Sequence, residues 1–222
     1  MSHEIQPVIE MVTVGPVETN CFVLHAAEGS DPKGCYVVDC GMDPHALFER
    51  IDEMGLQPRG LLLTHCHYDH IGGIEELFSR YGSLPTWVHP IELSWNGDPV
   101  LNLSAQSPWP AVAPEPDRTY EDGDTLELLG TNWRVLHLPG HSPGSVGLHN
   151  ESADVLLAGD TLFAGSVGRI DFPTSNPQHM RQSLGRLLEL PETTRVLPGH
   201  GPETSIAQER QFNPFLREWQ LI

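Results

Sequence analysis

The segment Thr64-His65-Cys66-His67-Tyr68-Asp69-His70 constrains this chain more than any other, because it places three histidines and an aspartate within six residues. It follows directly on the short apolar run Gly60–Leu63. Imidazole is only intermediate in its preference for burial, and a buried one needs a specific partner. Packing therefore does not account for the cluster. Neutral imidazole and carboxylate are instead the common donors to zinc and related divalent metals. In an extended segment His65 and His67 project from one side and can chelate one ion, while Cys66 between them turns away. Asp69 and His70 fall at the turn into a helix and can serve a second ion.

Three further donors sit in tight turns: His141 in Pro139-Gly140-His141, Asp160 in Gly159-Asp160, and His200 in Pro198-Gly199-His200. Each follows a short apolar run, so the turns can converge at one edge of a layered α/β structure, where such folds keep their sites. Asp39 also ends an apolar run, Tyr36–Asp39. It fits either a hydrogen-bond partner of the ligand loop or a turn-forming aspartate before Gly41.

The apolar pattern predicts strands at Val8–Val14, Cys21–His25, Tyr36–Asp39, Leu61–Leu63 and Trp87–His89 in the first half. It predicts Leu126–Leu129, Trp133–Leu138, Ser145–His149, Val155–Ala158 and Arg195–Leu197 in the second. Helices are expected over Pro44–Met54, Ile74–Tyr81, Pro177–Leu190 and Thr204–Glu218, the first opened by Pro44 and closed by Gly55. Glu92–Leu103 has no clear type, and Ser104–Pro116, with four prolines, reads as an exposed loop. Strands and helices alternate loosely in two halves, which argues for an α/β layered fold in a single domain over 1–222.

Composition removes several function classes. The formal net charge of −18, with one lysine, repels phosphate backbones and argues against a nucleic-acid partner. No apolar run approaches the roughly 20 residues of a membrane-spanning helix. Met1–Pro7 lacks the basic and apolar regions of a secretory signal, so a cytoplasmic location is expected. The four cysteines contain no C-x-x-C pair and read as reduced thiols in that compartment.

The H-x-H-x-D-H cluster followed by His141, Asp160 and His200 resembles the metallo-β-lactamase superfamily over nearly the whole chain. Within it the chain is similar to glyoxalase II (hydroxyacylglutathione hydrolase), in a short single-domain form. Asp160–Phe172, Thr19-Asn20-Cys21-Phe22 and Asn213-Pro214-Phe215-Leu216-Arg217 carry that likeness. The resemblance implies a four-layer αββα sandwich with the site at one edge of the sheets. It implies that His65, His67 and His141 hold one metal and Asp69, His70 and His200 a second, with Asp160 bridging and Asp69 also orienting the attacking hydroxide. The cofactors implied are two divalent ions, zinc foremost, with iron or manganese compatible with the same donors. The implied substrate is a small thioester such as an S-2-hydroxyacylglutathione.

The chain departs from the two-domain enzymes in ending about 20 residues after His200, too soon for their glutathione-gripping helical domain. Arg169 stands where they place a basic residue beside the substrate, but Asp171 replaces their aromatic residue. These two residues can contact substrate or pair with each other. A persulfide dioxygenase, with one iron, keeps most of the ligands but carries a Gly-Cys-Gly-Arg loop, and Val167 takes the place of that cysteine. A β-lactamase usually has a cysteine where Asp160 stands. A lactone or ester hydrolase uses the same chemistry and stays open.

Overall fold

In a computed structural model, residues 5–26, 29 and 31–222 are described. Strands β1 (Val8–Val14), β2 (Thr19–His25), β3 (Gly34–Val38), β4 (Gln57–Leu62), β5 (Thr86–Val88) and β6 (Arg118–Thr119) form one sheet in sequential order. β1 to β3 are antiparallel and β3 to β6 parallel. The parallel crossovers contain α1 (His45–Glu53), then α2 (Tyr68–Ile71) and α3 (Ile74–Tyr81).

The second half continues with β7 (Thr125–Leu128), β8 (Thr131–His137), β9 (Val146–Asn150), β10 (Val155–Gly159), the hairpin β11 (Leu162–Phe163) and β12 (Ser166–Val167), then β13 (Arg195–Pro198) and β14 (Thr204–Ser205). Apart from the hairpin these make a second sheet in the order β14-β13-β10-β9-β8-β7. Helices α4 (Pro177–Leu187), α5 (Ile206–Phe212) and α6 (Pro214–Glu218) complete it.

Side-chain alternation explains the layering. On β2, Cys21 and Val23 join the cluster with Leu47, Ile51, Ile74 and Leu77 of α1 and α3. Phe22 and Leu24 face the other way and meet Trp133, Val135, Leu148 and Leu157 of the second sheet. On β10, Leu156 and Ala158 pack on Met180 and Leu184 of α4. Strands buried on both faces read as unbroken apolar runs. The result is the expected αββα sandwich. No helix among the described residues is long and apolar enough to cross a membrane.

The structure corrects two expectations. The single helix over Thr204–Glu218 is two, broken at Asn213-Pro214. Proline disfavours helix at the residue before it, and Asn213 uses its Oδ1 to accept from Phe215 N at 3.0 Å and start α6 afresh. The Ser104–Pro116 loop is partly anchored rather than wholly exposed. Ala111 and Ala113 are buried, and Ala111 O accepts from Asn102 Nδ2 at 3.0 Å and Ser104 Oγ at 3.1 Å.

Candidate metal centre

Strands from both sheets deliver donors to one edge. β3 leads into Asp39 and β4 into Thr64 and His65, while β8, β10 and β13 lead into His141, Asp160 and His200. The sheets are joined there by Val146 N donating to Thr64 O at 2.9 Å and Asn20 N to Gly199 O at 2.7 Å. Asp69 and His70 lie inside the single turn of α2, with His67 just before it.

All seven residues singled out by sequence come together. Donor atoms of His65, His67 and His141 lie within 4.8 Å of one another, as do those of His65, His70 and Asp160, and of Asp69, His70 and His200. Asp160 stands between the outer two groups. Its Oδ2 is 3.4 Å from His141 Nε2 and 3.5 Å from His200 Nε2, and its Oδ1 is 3.5 Å from His70 Nε2. The carboxylate and the carbonyl of Asp160 each lie against a glycine. A Cβ on Gly199 would come 2.2 Å from Asp160 Oδ1, and one on Gly168 1.8 Å from Asp160 O.

The outward nitrogens fix the rings. His70 Nδ1 is 2.8 Å from Asp39 Oδ2, His141 Nδ1 3.0 Å from Arg169 O, and His200 Nδ1 3.1 Å from Val17 O. Partners of this kind hold the proton on Nδ1 and turn the Nε2 lone pair inward. Asp39 also accepts from Thr64 N and Thr64 Oγ1, both at 2.7 Å. It does so from a left-handed backbone, φ 55°, a strained setting that aspartate tolerates better than most residues and that clusters at functional sites.

The donors fit a metal on their own evidence. Nε2 of His65 and His70 and Oδ1 of Asp160 are buried without a hydrogen-bond partner, a situation costing about 1–3 kcal/mol per group. His67 Nδ1 and His141 Nε2 face each other at 2.8 Å, which calls for a proton or cation between them. Burial and then the neighbouring imidazoles hold His65 and His67 well below the usual histidine range, so they are neutral donors. Burial would raise Asp160, but His70, His141 and His200 carry it well below the carboxylate range. Burial would lower His70, yet Asp160, Asp39 and Asp69 raise it well above its ordinary value. An ionised Asp160 beside the neutral imidazoles of His65 and His67 favours a bound cation.

The centre opens into a cleft of about 250 Å³ walled by Val17, Tyr68, Leu103, Phe163, Arg169 and Phe172. Arg169 pairs with Asp171 through contacts of 2.9 and 2.8 Å. Its guanidinium lies 4.3 Å from the Phe172 ring centroid, and Asp171 is not part of the cleft wall. Cys66 is a buried free thiol, as are Cys21, Cys35 and Cys40.

Two residues with structural roles at the centre were not singled out from the sequence. Asn20 donates from Nδ2 to Pro198 O at 3.0 Å and Gly201 O at 2.8 Å, fastening the His200 turn to β2. It drew notice only within a stretch of family likeness. Glu92, in a segment without clear type, holds the loops of His67 and His141, and no local pattern marks it.

The sequence of residues 14–200 matches the family model of the metallo-beta-lactamase superfamily. The chain belongs to that superfamily. Among curated relatives of this superfamily chain, the probable metallo-hydrolase YqgX of Bacillus subtilis is 38% identical over 94% of this chain and 97% of its own length. The hydroxyacylglutathione hydrolase GloC of Haemophilus influenzae is 34% identical over 94% of this chain and 97% of its own length. Among solved structures, the BLEG-1 B3 metallo-beta-lactamase superposes with a TM-score of 0.87 at 36% identity, covering 94% of this chain and 99% of that one. TTHA1623 in a di-iron-bound form gives 0.81 at 39% identity, covering 93% and 100%.

Proposed function

We propose that this superfamily member is a two-metal hydrolase of small thioesters of the S-2-hydroxyacylglutathione type. The observation that carries the reading is Asp160, whose carboxylate lies 3.4–3.5 Å from His141 of one donor group and from His70 and His200 of the other. His65, His67 and His141 would hold one ion, and Asp69, His70 and His200 the other, with Asp160 shared. A pair of divalent ions, zinc foremost, with iron or manganese fitting the same donors, supplies hydroxide at neutral pH and polarises the carbonyl it attacks.

The chain's own residues do the rest. Asp39 fixes the ring of His70, and Asp69, 3.2 Å from His200 Nε2 and lining the cleft, orients the attacking water. Val17, Leu103, Phe163 and Phe172 give the cleft an apolar wall that displaces bulk water. Among the described residues, Arg169 is the one arginine or lysine on that wall, and it suits an anionic or polar arm of the thiol carrier. A thioester expels a thiolate, which needs little help from a general acid. The name of the GloC relative supports this substrate class, and the charge of −18 favours a small molecule over nucleic acid.

The test joins metal analysis to hydrolysis of S-D-lactoylglutathione. Two metals per chain with rapid thioester turnover support the proposal. One iron with oxygen uptake on glutathione persulfide overturns it in favour of a dioxygenase. Faster turnover of a β-lactam or a lactone than of any thioester overturns the substrate class.

A further inference from the structure

Glu92 follows β5 and has no exposure to solvent, and it does not line the cleft. Its Oε2 accepts from Cys66 N at 2.7 Å. Its Oε1 accepts from Gly144 N at 2.7 Å and from the Ser142 hydroxyl. Ser142 is in turn 2.8 Å from Ser145 Oγ. The donors come from two loops of different sheets. Cys66 lies between His65 and His67, and Ser142 follows His141 directly. One carboxylate therefore spans the two segments that supply all three imidazoles of one donor group.

We propose that Glu92 is a positioning residue that sets the spacing of His65, His67 and His141 and thereby their affinity for metal, a role that rests on the two-metal reading above. Among the described residues none of its hydrogen-bond partners is a cation, so no ion pair offsets the cost of burying a carboxylate. A buried carboxylate is tolerated when its oxygens are hydrogen-bonded, and an apolar side chain of equal volume would leave Cys66 N, Gly144 N and the Ser142 hydroxyl without this acceptor. What the carboxylate adds is direction. Charge-assisted bonds are short and about twice as strong as neutral ones, and two oxygens aimed at opposite loops hold a distance as well as a contact. Gly144 lets the clamp close, since a Cβ there would lie 2.8 Å from Glu92 Cγ.

The experiment strips the full chain with a chelator and titrates it with Co²⁺ alone, following visible absorption and bound metal per chain. The wild-type chain is expected to take two equivalents. Glu92→Gln keeps the shape but points an amide N–H₂ at one of the donors. It should weaken one equivalent about 10–100-fold, as loss of an outer partner does at metal sites, and shift that equivalent's absorption bands. Ser142→Ala removes one donor, leaves both backbone N–H bonds, and should weaken the same equivalent to a smaller extent. Should the glutamine variant fail to fold, Ser142→Ala carries the test. Wild-type binding of two equivalents, with unchanged affinity and spectra in the folded variants, overturns the role of Glu92 alone. A wild-type chain that takes up no Co²⁺ overturns both this role and the two-metal reading.

Discussion

Asp39 Oδ2 lies 2.8 Å from Nδ1 of His70, and neither side chain has any exposure. The same carboxylate grips Thr64 at the end of β4, so one group aligns an imidazole and the strand end from which the ligand loop departs. Asp39→Asn keeps the volume but removes the charge and one acceptor. Metal affinity is expected to fall about 10–100-fold, the usual cost of losing an outer partner of a ligating histidine. Activity measured across a series of metal buffers checks this, and an unshifted midpoint would refute it.

Metal uptake is expected to release protons. In the metal-free chain the surrounding carboxylates outweigh burial and favour the charged form of His70. A metal bound to its Nε2 must displace that proton. Affinity therefore rises with pH for as long as His70 of the free chain remains protonated. Calorimetry at pH 7 in two buffers of different ionisation enthalpy should report net proton release on metal binding. Observed heats that do not differ between the two buffers would contradict the assignment.

Arg169 and Asp171 are expected to act in opposite directions on substrate binding. Arg169→Ala removes the cation from the cleft wall and should raise KM for an anionic thioester more than it lowers kcat. Asp171→Ala frees the guanidinium and should lower KM. An exposed pair of this kind adds only about 0–1 kcal/mol to stability, so neither change should disturb folding. Steady-state kinetics separates the two effects, and parallel shifts in both variants would make the pair a simple brace.

His89 stacks on His137 at 4.0 Å, and burial followed by the neighbouring imidazole lowers its pKa to about 4. Asp122 is the acidic group that opposes this shift. The unfolded chain takes up this proton near pH 6.5 and the folded chain only near pH 4. Between those values the unfolded state binds more protons, so stability falls as pH falls. His89→Gln should flatten the pH dependence of urea midpoints across that window. A slope equal to the wild type would show that the stack does not hold the ring neutral.

Trp133 is fully buried between the sheets, its Nε1 donating to Thr131 Oγ1 at 3.0 Å. Trp133→Ala leaves a large cavity among residues of both sheets and should cost about 3–5 kcal/mol. Denaturant unfolding of the metal-free chain measures it.

The fold was legible where physics is local. Cys21–Leu24 of β2 and Val155–Ala158 of β10 are unbroken apolar runs because both faces are buried, and the histidine cluster has no packing explanation. The break at Asn213-Pro214 was readable from proline's missing N–H but lay hidden in a stretch of helical composition. Glu92 and Asn20 were not readable, because their partners lie far along the chain: Ser142 is 50 residues from Glu92, and Pro198 is 178 from Asn20. The choice between Arg169 touching substrate and pairing with Asp171 was likewise open, since adjacency in sequence fixes neither rotamer. The structure forms the pair and still leaves the guanidinium on the cleft wall.

Each of the three donor groups draws on both sheets: His65 and His67 with His141, His65 and His70 with Asp160, Asp69 and His70 with His200. An ion held by any of them is a cross-link between the two halves of the chain, and its binding energy adds to the native state alone. Loop-closure entropy over more than a hundred residues must be overcome before His200 can meet Asp69, so the complete set assembles only when β13 docks. A chain cut between β6 and β7 would carry donors on both pieces and a whole group on neither. Metal affinity would then report whether the halves had found each other.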